Sequence, residues 1–192
     1  MTQLVLDTLR LTLALPQQTH ANAARDFHVE SWPHLQRWFP PVPPDVDTLA
    51  YWQDHINKTH EAYTQGIALR LWIHPKAAPG IVIGSIGFSQ IFRGPFCNCV
   101  LGYQIASEYE GQGLMREALE ASISHMFKEQ KLHRIAANYR PENARSGKLL
   151  TRLGFRIDGF AKNYLFIDGD WRDHVLTSLT NDAFRPEWLS VK

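Results

Sequence analysis

Leu9, Leu11, Leu13 and Leu15 alternate with polar or small residues near the start of the chain, the period-two pattern of a strand with one buried face. Thr19 is placed to cap a helix carrying Ala23, Ala24 and Phe27 on one side, after which the chain enters WPHLQRWFPPVPPD. Proline at that density forbids a continuous helix. Asp45 or Asp47 is expected to start a second helix, in which Leu49, Trp52, Ile56 and Tyr63 form an amphipathic stripe that ends at Gln65-Gly66.

Three strand-like runs follow, 67–73, 81–91 and 97–106, separated by HPKAAPG and RGP turn signals and read as an antiparallel meander. A long helix over 113–129 keeps Met115, Leu119, Ile123, Met126 and Phe127 on one side. Then come a strand over 134–139, a short helix over 144–153 stopped by Gly154, and two strands joined at Asp168-Gly169, a dipeptide suited to a type I′ hairpin. The order β-α-α-β-β-β-α-β-α-β-β predicts an α/β (α+β) fold, a mixed and mostly antiparallel sheet with helices on both faces.

A chain of 192 residues with 44% apolar composition buries one substantial core, and a single domain over 1–192 is expected. Lys and Arg number 20 against 19 acidic residues, a balance that leaves no basic footprint for direct nucleic-acid binding. Cys97 and Cys99 stand two apart in an expected strand, so their side chains share a face and are read as buried thiols. A single C-x-C falls short of the roughly four ligands of a zinc framework, and no metal is expected. The opening segment MTQLVLDTLRLTLALP lacks the basic start and long apolar run of a signal peptide. No stretch reaches the roughly 18 apolar residues of a membrane span, and a cytoplasmic protein is expected.

The sharpest local chemistry is Glu110-Gly111-Gln112-Gly113-Leu114-Met115, between a strand and the N-terminus of the long helix. Helix N-terminal amides and the positive end of the dipole attract phosphates, and glycines let the backbone approach an anion closely. There is no G-x-x-x-x-G-K-[ST] for a nucleoside triphosphate and no G-x-G-x-x-G for a dinucleotide.

The turn resembles the [QR]-x-x-G-x-[GA] signature of the Gcn5-related N-acetyltransferases (GNAT), which cradles the pyrophosphate of acetyl-CoA. Gly113 matches the central glycine; Glu110 stands in place of Gln or Arg, an acid that is costly beside a pyrophosphate unless it points away, and Met115 replaces Gly or Ala. Downstream, Asn143-Ala-Arg-Ser146 leading to Leu153-Gly154-Phe155 resembles the family's N-x-x-S-x-x-x-x-x-x-x-G-F signature. The resemblance implies cofactor contacts from Tyr103, Gln104, Ile105, Gly111, Gln112, Gly113, Leu114, Met115, Asn138, Asn143 and Ser146, with Asn143 as N-cap and the Ser146 hydroxyl facing the cofactor sulfur. LGYQIASEYEGQGLMREAL, HRIAANYRPENARSG and AKNYLFIDGDWRDHVLTSLT together resemble the RimJ subgroup of ribosomal-protein alanine acetyltransferases over about residues 8–180. The implied acceptor is the N-terminal alanine of the fifth small-subunit ribosomal protein. Ribosome association and a choice between monomer and homodimer stay open.

That family's chemistry implies attack of a neutral amine on the thioester, with a backbone donor from the splayed strand, here Gly102 to Ala106, where Gly102 permits a bulge. An α-amine has a pKa of about 7.7 to 8 against about 10.4 for lysine, a saving of roughly 3 kcal/mol in reaching the neutral form, so a water held by polar side chains is a sufficient base. The base glutamate proposed in RimL-type relatives aligns with Leu165 and does not carry over. Candidate catalytic residues are Ser146, as proton relay to the departing sulfur, with Tyr139, Tyr164, Asp173 and His174. SWPHLQRWFPPVPPD is read either as a substrate-facing wall or as simple packing of Trp32 and Trp38. The competing readings are an enzyme of the same fold acting on a small amine, and a non-catalytic acyl-CoA-binding or ribosome-assembly module.

Overall fold

The computed structural model describes residues 4–189; the ends of the domain expected over 1–192 lie outside them. Eight strands form one sheet: β1 (Val5–Asp7), β2 (Leu11–Ala14), β3 (Leu69–Pro75), β4 (Gly84–Ser89), β5 (Asn98–Ile105), β6 (Arg134–Tyr139), β7 (Arg156–Ile167) and β8 (Asp170–Thr180). Their order is β1-β2-β3-β4-β5-β6-β8-β7, antiparallel throughout except for β5 beside β6. Four helices complete the fold: α1 (Ala21–Leu35), α2 (Leu49–Thr64), α3 (Leu114–Lys128) and α4 (Ala144–Arg152).

Strand alternation assigns the faces. Leu69, Leu71, Ile73, Ile86 and Leu101 belong to the core built with Leu119, Ile123 and Met126 of α3 and Leu150 of α4. Trp72, on the opposite parity of β3, packs with Ala24 and Phe27 of α1 and Trp52 and Ile56 of α2. The cofactor-turn helix and the aromatic N-terminal helices therefore lie on opposite faces of the sheet. The Asp168-Gly169 hairpin is as expected, with φ of 53° and 75° at its two central residues, the left-handed pair a type I′ turn requires.

Four local expectations are corrected. The first strand is a hairpin: Leu9, read as inward-facing, is 86% exposed at the β1–β2 connection, where the Thr8 amide bonds the Leu11 carbonyl. Thr19 caps nothing; it lies in a 3-10 turn over Gln18–His20 that leads directly into α1. Pro33 lies inside α1 without ending it, at the cost of the bond its missing amide would give to the Val29 carbonyl; the prolines beyond Phe39 do the stopping. The α2 cap is Thr48, whose Oγ1 accepts the Tyr51 amide, in place of either aspartate. Cys97 and Cys99 are both buried and unbridged, although Cys97 precedes β5 and has a φ of 35°.

Candidate active site

Among the described residues the one parallel contact in the sheet is short. β5 pairs with β6 only at Asn98–Arg134, Cys99–Ile135 and Val100–Ala136, while its other edge stays in register with β4 up to Gly84–Ile105. Beyond Val100 the two strands separate and open a wedge in the middle of the sheet. Ala106 donates its amide to Ile83 on the β4 side, and the Cys97 carbonyl accepts from the β6 side, so odd residues of β5 direct their backbone groups toward β6. The Tyr103 and Ile105 amides therefore point into the wedge, with no strand partner there. Gly102 makes no bulge, since its register with Gly87 is continuous; divergence from β6 does the work expected of a bulge.

At the end of β5 the chain turns through Glu110 to Gly113. Gly111 and Gly113 have φ of 75° and 76°, a conformation that costs a side-chain-bearing residue about 1 to 2 kcal/mol. Gly113 is the N-cap of α3 and offers no side chain to the first-turn amides, which face outward as donors. Leu114 and Met115 bury their side chains in the core, so their part in the turn is played by backbone amides.

The turn is braced from the β1–β2 hairpin. Thr8 Oγ1 (2.6 Å) and the Arg10 amide (2.7 Å) donate to Oε1 of Glu117, Arg10 Nε donates to Oε2 at 2.7 Å, and Arg10 Nη1 reaches the Gln112 carbonyl at 3.0 Å. Burial works to raise the Glu117 pKa, but the bonds from Thr8 and Arg10 outweigh it and hold the carboxyl below its ordinary range. The Glu110 carboxylate is taken by His34 of α1 (3.1 Å) and Arg145 of α4.

Across the wedge stands α4. Asn143 is its N-cap, with Oδ1 accepting the Ser146 amide at 3.0 Å. The Ser146 hydroxyl lies 2.7 Å from the Tyr103 hydroxyl. Burial pushes the Tyr103 pKa up to about 12, against the smaller opposing effect of the Ser146 bond, so the phenol keeps its proton. Tyr139, at the end of β6, packs its ring against Gly147, where an added Cβ would approach ring atoms to 2.8 Å.

A wedge, a glycine turn on a helix N-terminus and a hydroxyl pair between them form an arrangement that comparison with known proteins can test. The acetyltransferase (GNAT) domain model matches residues 10–156. The chain belongs to the GNAT acetyltransferase family. This N-acetyltransferase is 42% identical over 183 residues to the ribosomal protein uS5-alanine N-acetyltransferase of Escherichia coli, a match covering 95% of this chain and 92% of that one. The solved structure of a ribosomal-protein-S5-alanine acetyltransferase from Vibrio fischeri superposes with a TM-score of 0.91 at 34% identity, over 95% of this chain and all of that one. RimJ of Mycobacterium smegmatis, solved in complex with a CoA-disulfide, gives 0.86 at 28% identity over 94% and 90% of the two chains.

On the other face of the sheet the acetyltransferase has a cavity of about 340 Å³ between α2 and strands β3 to β5. Its lining includes Phe39, His55, Arg70, Gly87, Gly102 and Gln104. Burial, then the Arg70 charge, pushes His55 down to about 4, so its ring is neutral near pH 7. Sequence reasoning missed Arg70 and His55. A cation between the apolar Leu69 and Leu71 of LRLWIHP, in register with Gly87 and through it with Gly102, was the available signal.

The remaining expected residues divide. Asn138, on the opposite parity of β6 from Tyr139, donates to Tyr164 Oη at 3.0 Å, and the Tyr164 ring lies 5.1 Å from that of His174. Asp173 Oδ1 accepts the Asn163 amide at 2.9 Å within an irregular stretch of the β7–β8 pairing. None of these contacts reaches Ser146. Gln104 donates to Ser85 Oγ at 3.1 Å. Of the aromatic and proline segment, Trp32 packs on His28, Trp38 is held between Arg37 and Arg140, and Phe39 borders the cavity.

Proposed function

We propose that this enzyme transfers the acetyl group of acetyl-CoA to the α-amine of an N-terminal alanine on the fifth small-subunit ribosomal protein, in the cytoplasm. The observation that carries the reading is the wedge: it joins the glycine turn on one face of the sheet to the cavity on the other, so donor and acceptor approach the same gap from opposite sides. The high identity to the uS5-alanine enzyme of E. coli over nearly both full lengths supports the choice of acceptor.

The residues fit acetyl-CoA. Two left-handed glycines and an uncapped helix N-terminus suit a pyrophosphate, and the free β5 edge suits the amide-bearing pantetheine arm. Bound there, the cofactor supplies an electrophilic thioester carbonyl. The Tyr103 and Ile105 amides are the fixed donors available to its oxygen. Ser146, hydrogen-bonded to the protonated Tyr103, holds a proton at Oγ for the departing sulfur, with Asn143 fixing the first turn of α4 and Tyr139 its seat on the sheet. Tyr164, Asp173, His174 and Asn138 take no part in this proposed proton path, and with Leu165 at the position of the RimL-type glutamate the deprotonation of the α-amine falls to water.

Thiol release measured with acetyl-CoA and a panel of acceptors tests this reading. An alanine-starting peptide is expected to outperform polyamines and aminoglycosides by at least about a hundredfold in kcat/KM; a preferred small amine would overturn the protein-acceptor assignment.

A further inference from the structure

Arg70 is a partly exposed cation on the cavity wall, without a counterion among the described residues. It is the second residue of β3, between the buried Leu69 and Leu71, and among the described residues its side chain makes no ion pair and no hydrogen bond. Burial lowers its pKa from the ordinary value, yet a guanidinium stays charged across the physiological range.

Its surroundings show where a partner would come from. Arg70, Gly87 and Gly102 are consecutive cross-strand neighbours on β3, β4 and β5. The guanidinium lies over Gly87, with Nη2 3.7 Å from the point a Cβ would occupy there. Gly102 next to it has no atom within 4 Å of its own Cβ position. The row is therefore a bare strip of backbone, with the cation at one end and the wedge at the other. The cavity above it is lined by no Asp or Glu, and the nearby Lys58 is already bound to Asp54 at 2.7 Å.

We infer that Arg70 is an acceptor-binding residue, donating hydrogen bonds to the first main-chain carbonyl of the acceptor peptide while its α-amine lies in the wedge above Gly102. Adjacent strands are about 4.8 Å apart, and a first-residue carbonyl oxygen is only three bonds from its own α-nitrogen, so one residue spans from Gly102 to the guanidinium. The bare strip admits peptide backbone where any side chain would block it. Arg70 thereby distinguishes a peptide from a simple amine: only an acceptor with a carbonyl beside its amine can accept hydrogen bonds from the guanidinium. This inference rests on the proposed peptide acceptor.

The test is a cycle of enzyme and substrate changes. Wild type and Arg70→Met are assayed with an alanine-starting peptide and with the same peptide carrying C=S in place of its first C=O, a poorer hydrogen-bond acceptor of unchanged charge. Wild type is expected to prefer the oxygen peptide by about tenfold in kcat/KM. Arg70→Met is expected to lose at least about tenfold on that peptide, to show no preference between the two, and to bind acetyl-CoA as wild type does by calorimetry. If Arg70→Met does not fold, Arg70→Lys, which keeps the charge without the planar fork, enters the same cycle with a reduced preference expected. An undiminished oxygen preference in the variant overturns the inference and leaves the proposed function standing. Failure of wild type to acetylate either peptide overturns both.

Discussion

The Tyr103 and Ser146 hydroxyls, 2.7 Å apart, join β5 to α4 across the wedge. Burial keeps the phenol protonated up to about 12, so both hydroxyls of the pair carry a proton, and in the proposed mechanism Tyr103 donates to Ser146 Oγ. Ser146→Ala is expected to lower kcat by about 100-fold with little change in acetyl-CoA affinity, within the range of a lost acid catalyst. Tyr103→Phe is expected to lose less, and the double variant no more than Ser146→Ala alone. Steady-state kinetics with calorimetry checks this; equal losses in turnover and affinity would show that Ser146 serves binding only.

Gly113 combines a φ of 76° with the N-cap of α3. Gly113→Ala is expected to destabilise the protein by about 1 to 2 kcal/mol and to weaken acetyl-CoA binding by more than fivefold, measured by denaturant unfolding and calorimetry. Unchanged binding would remove the turn from the cofactor site.

Glu117 carries the brace between the N-terminal hairpin and that turn. Its folded-state pKa lies below the unfolded value of about 4.3, so its contribution to stability is complete above the unfolded pKa and is lost as pH falls through the folded one. Wild type is expected to be more stable than Glu117→Gln near pH 6 by about 1 kcal/mol, the low end for bonds to a charged group because Arg10 is nearly half exposed. The gap is expected to close below about pH 4. Unfolding midpoints of the two proteins against pH decide it; a gap constant down to pH 3 would contradict the assignment.

His55 is neutral throughout the assay range, its pKa held near 4 by burial and by Arg70. The acid limb of kcat/KM against pH is then expected to follow the free peptide amine, about 7.7 to 8, in wild type and in His55→Gln alike. A limb displaced by the substitution would make His55 a titrating participant.

Most of the scaffold was legible because its signals are local. Periodicity found α2, α3 and β3 to β6, and Gly113, Asn143 and Gly154 marked their turns and caps. The N-terminal hairpin was not legible, because Leu9 keeps the strand rhythm while the chain reverses beneath it. Tyr103, Ser146, Tyr139 and Asn143, all named from the sequence, lie near one another, with Tyr103 on Ser146, Asn143 capping its helix and Tyr139 against Gly147. Arg70 and His55 escaped because their meaning lies in what does not face them, a missing counterion and a row of glycines on neighbouring strands, and neither is visible along one stretch of sequence. The link between Thr8, Arg10 and Glu117 joins residues more than a hundred positions apart and carries no local pattern.

The most direct test of α-amine transfer is mass spectrometry of two peptides after incubation with enzyme and acetyl-CoA. One begins with a free alanine and contains lysine; the other is identical but blocked at its N-terminus. A single acetyl group on the α-amine of the first and none on the second is the predicted result. Acetyl-lysine in the blocked peptide, or no transfer to either despite measurable acetyl-CoA binding, would contradict it.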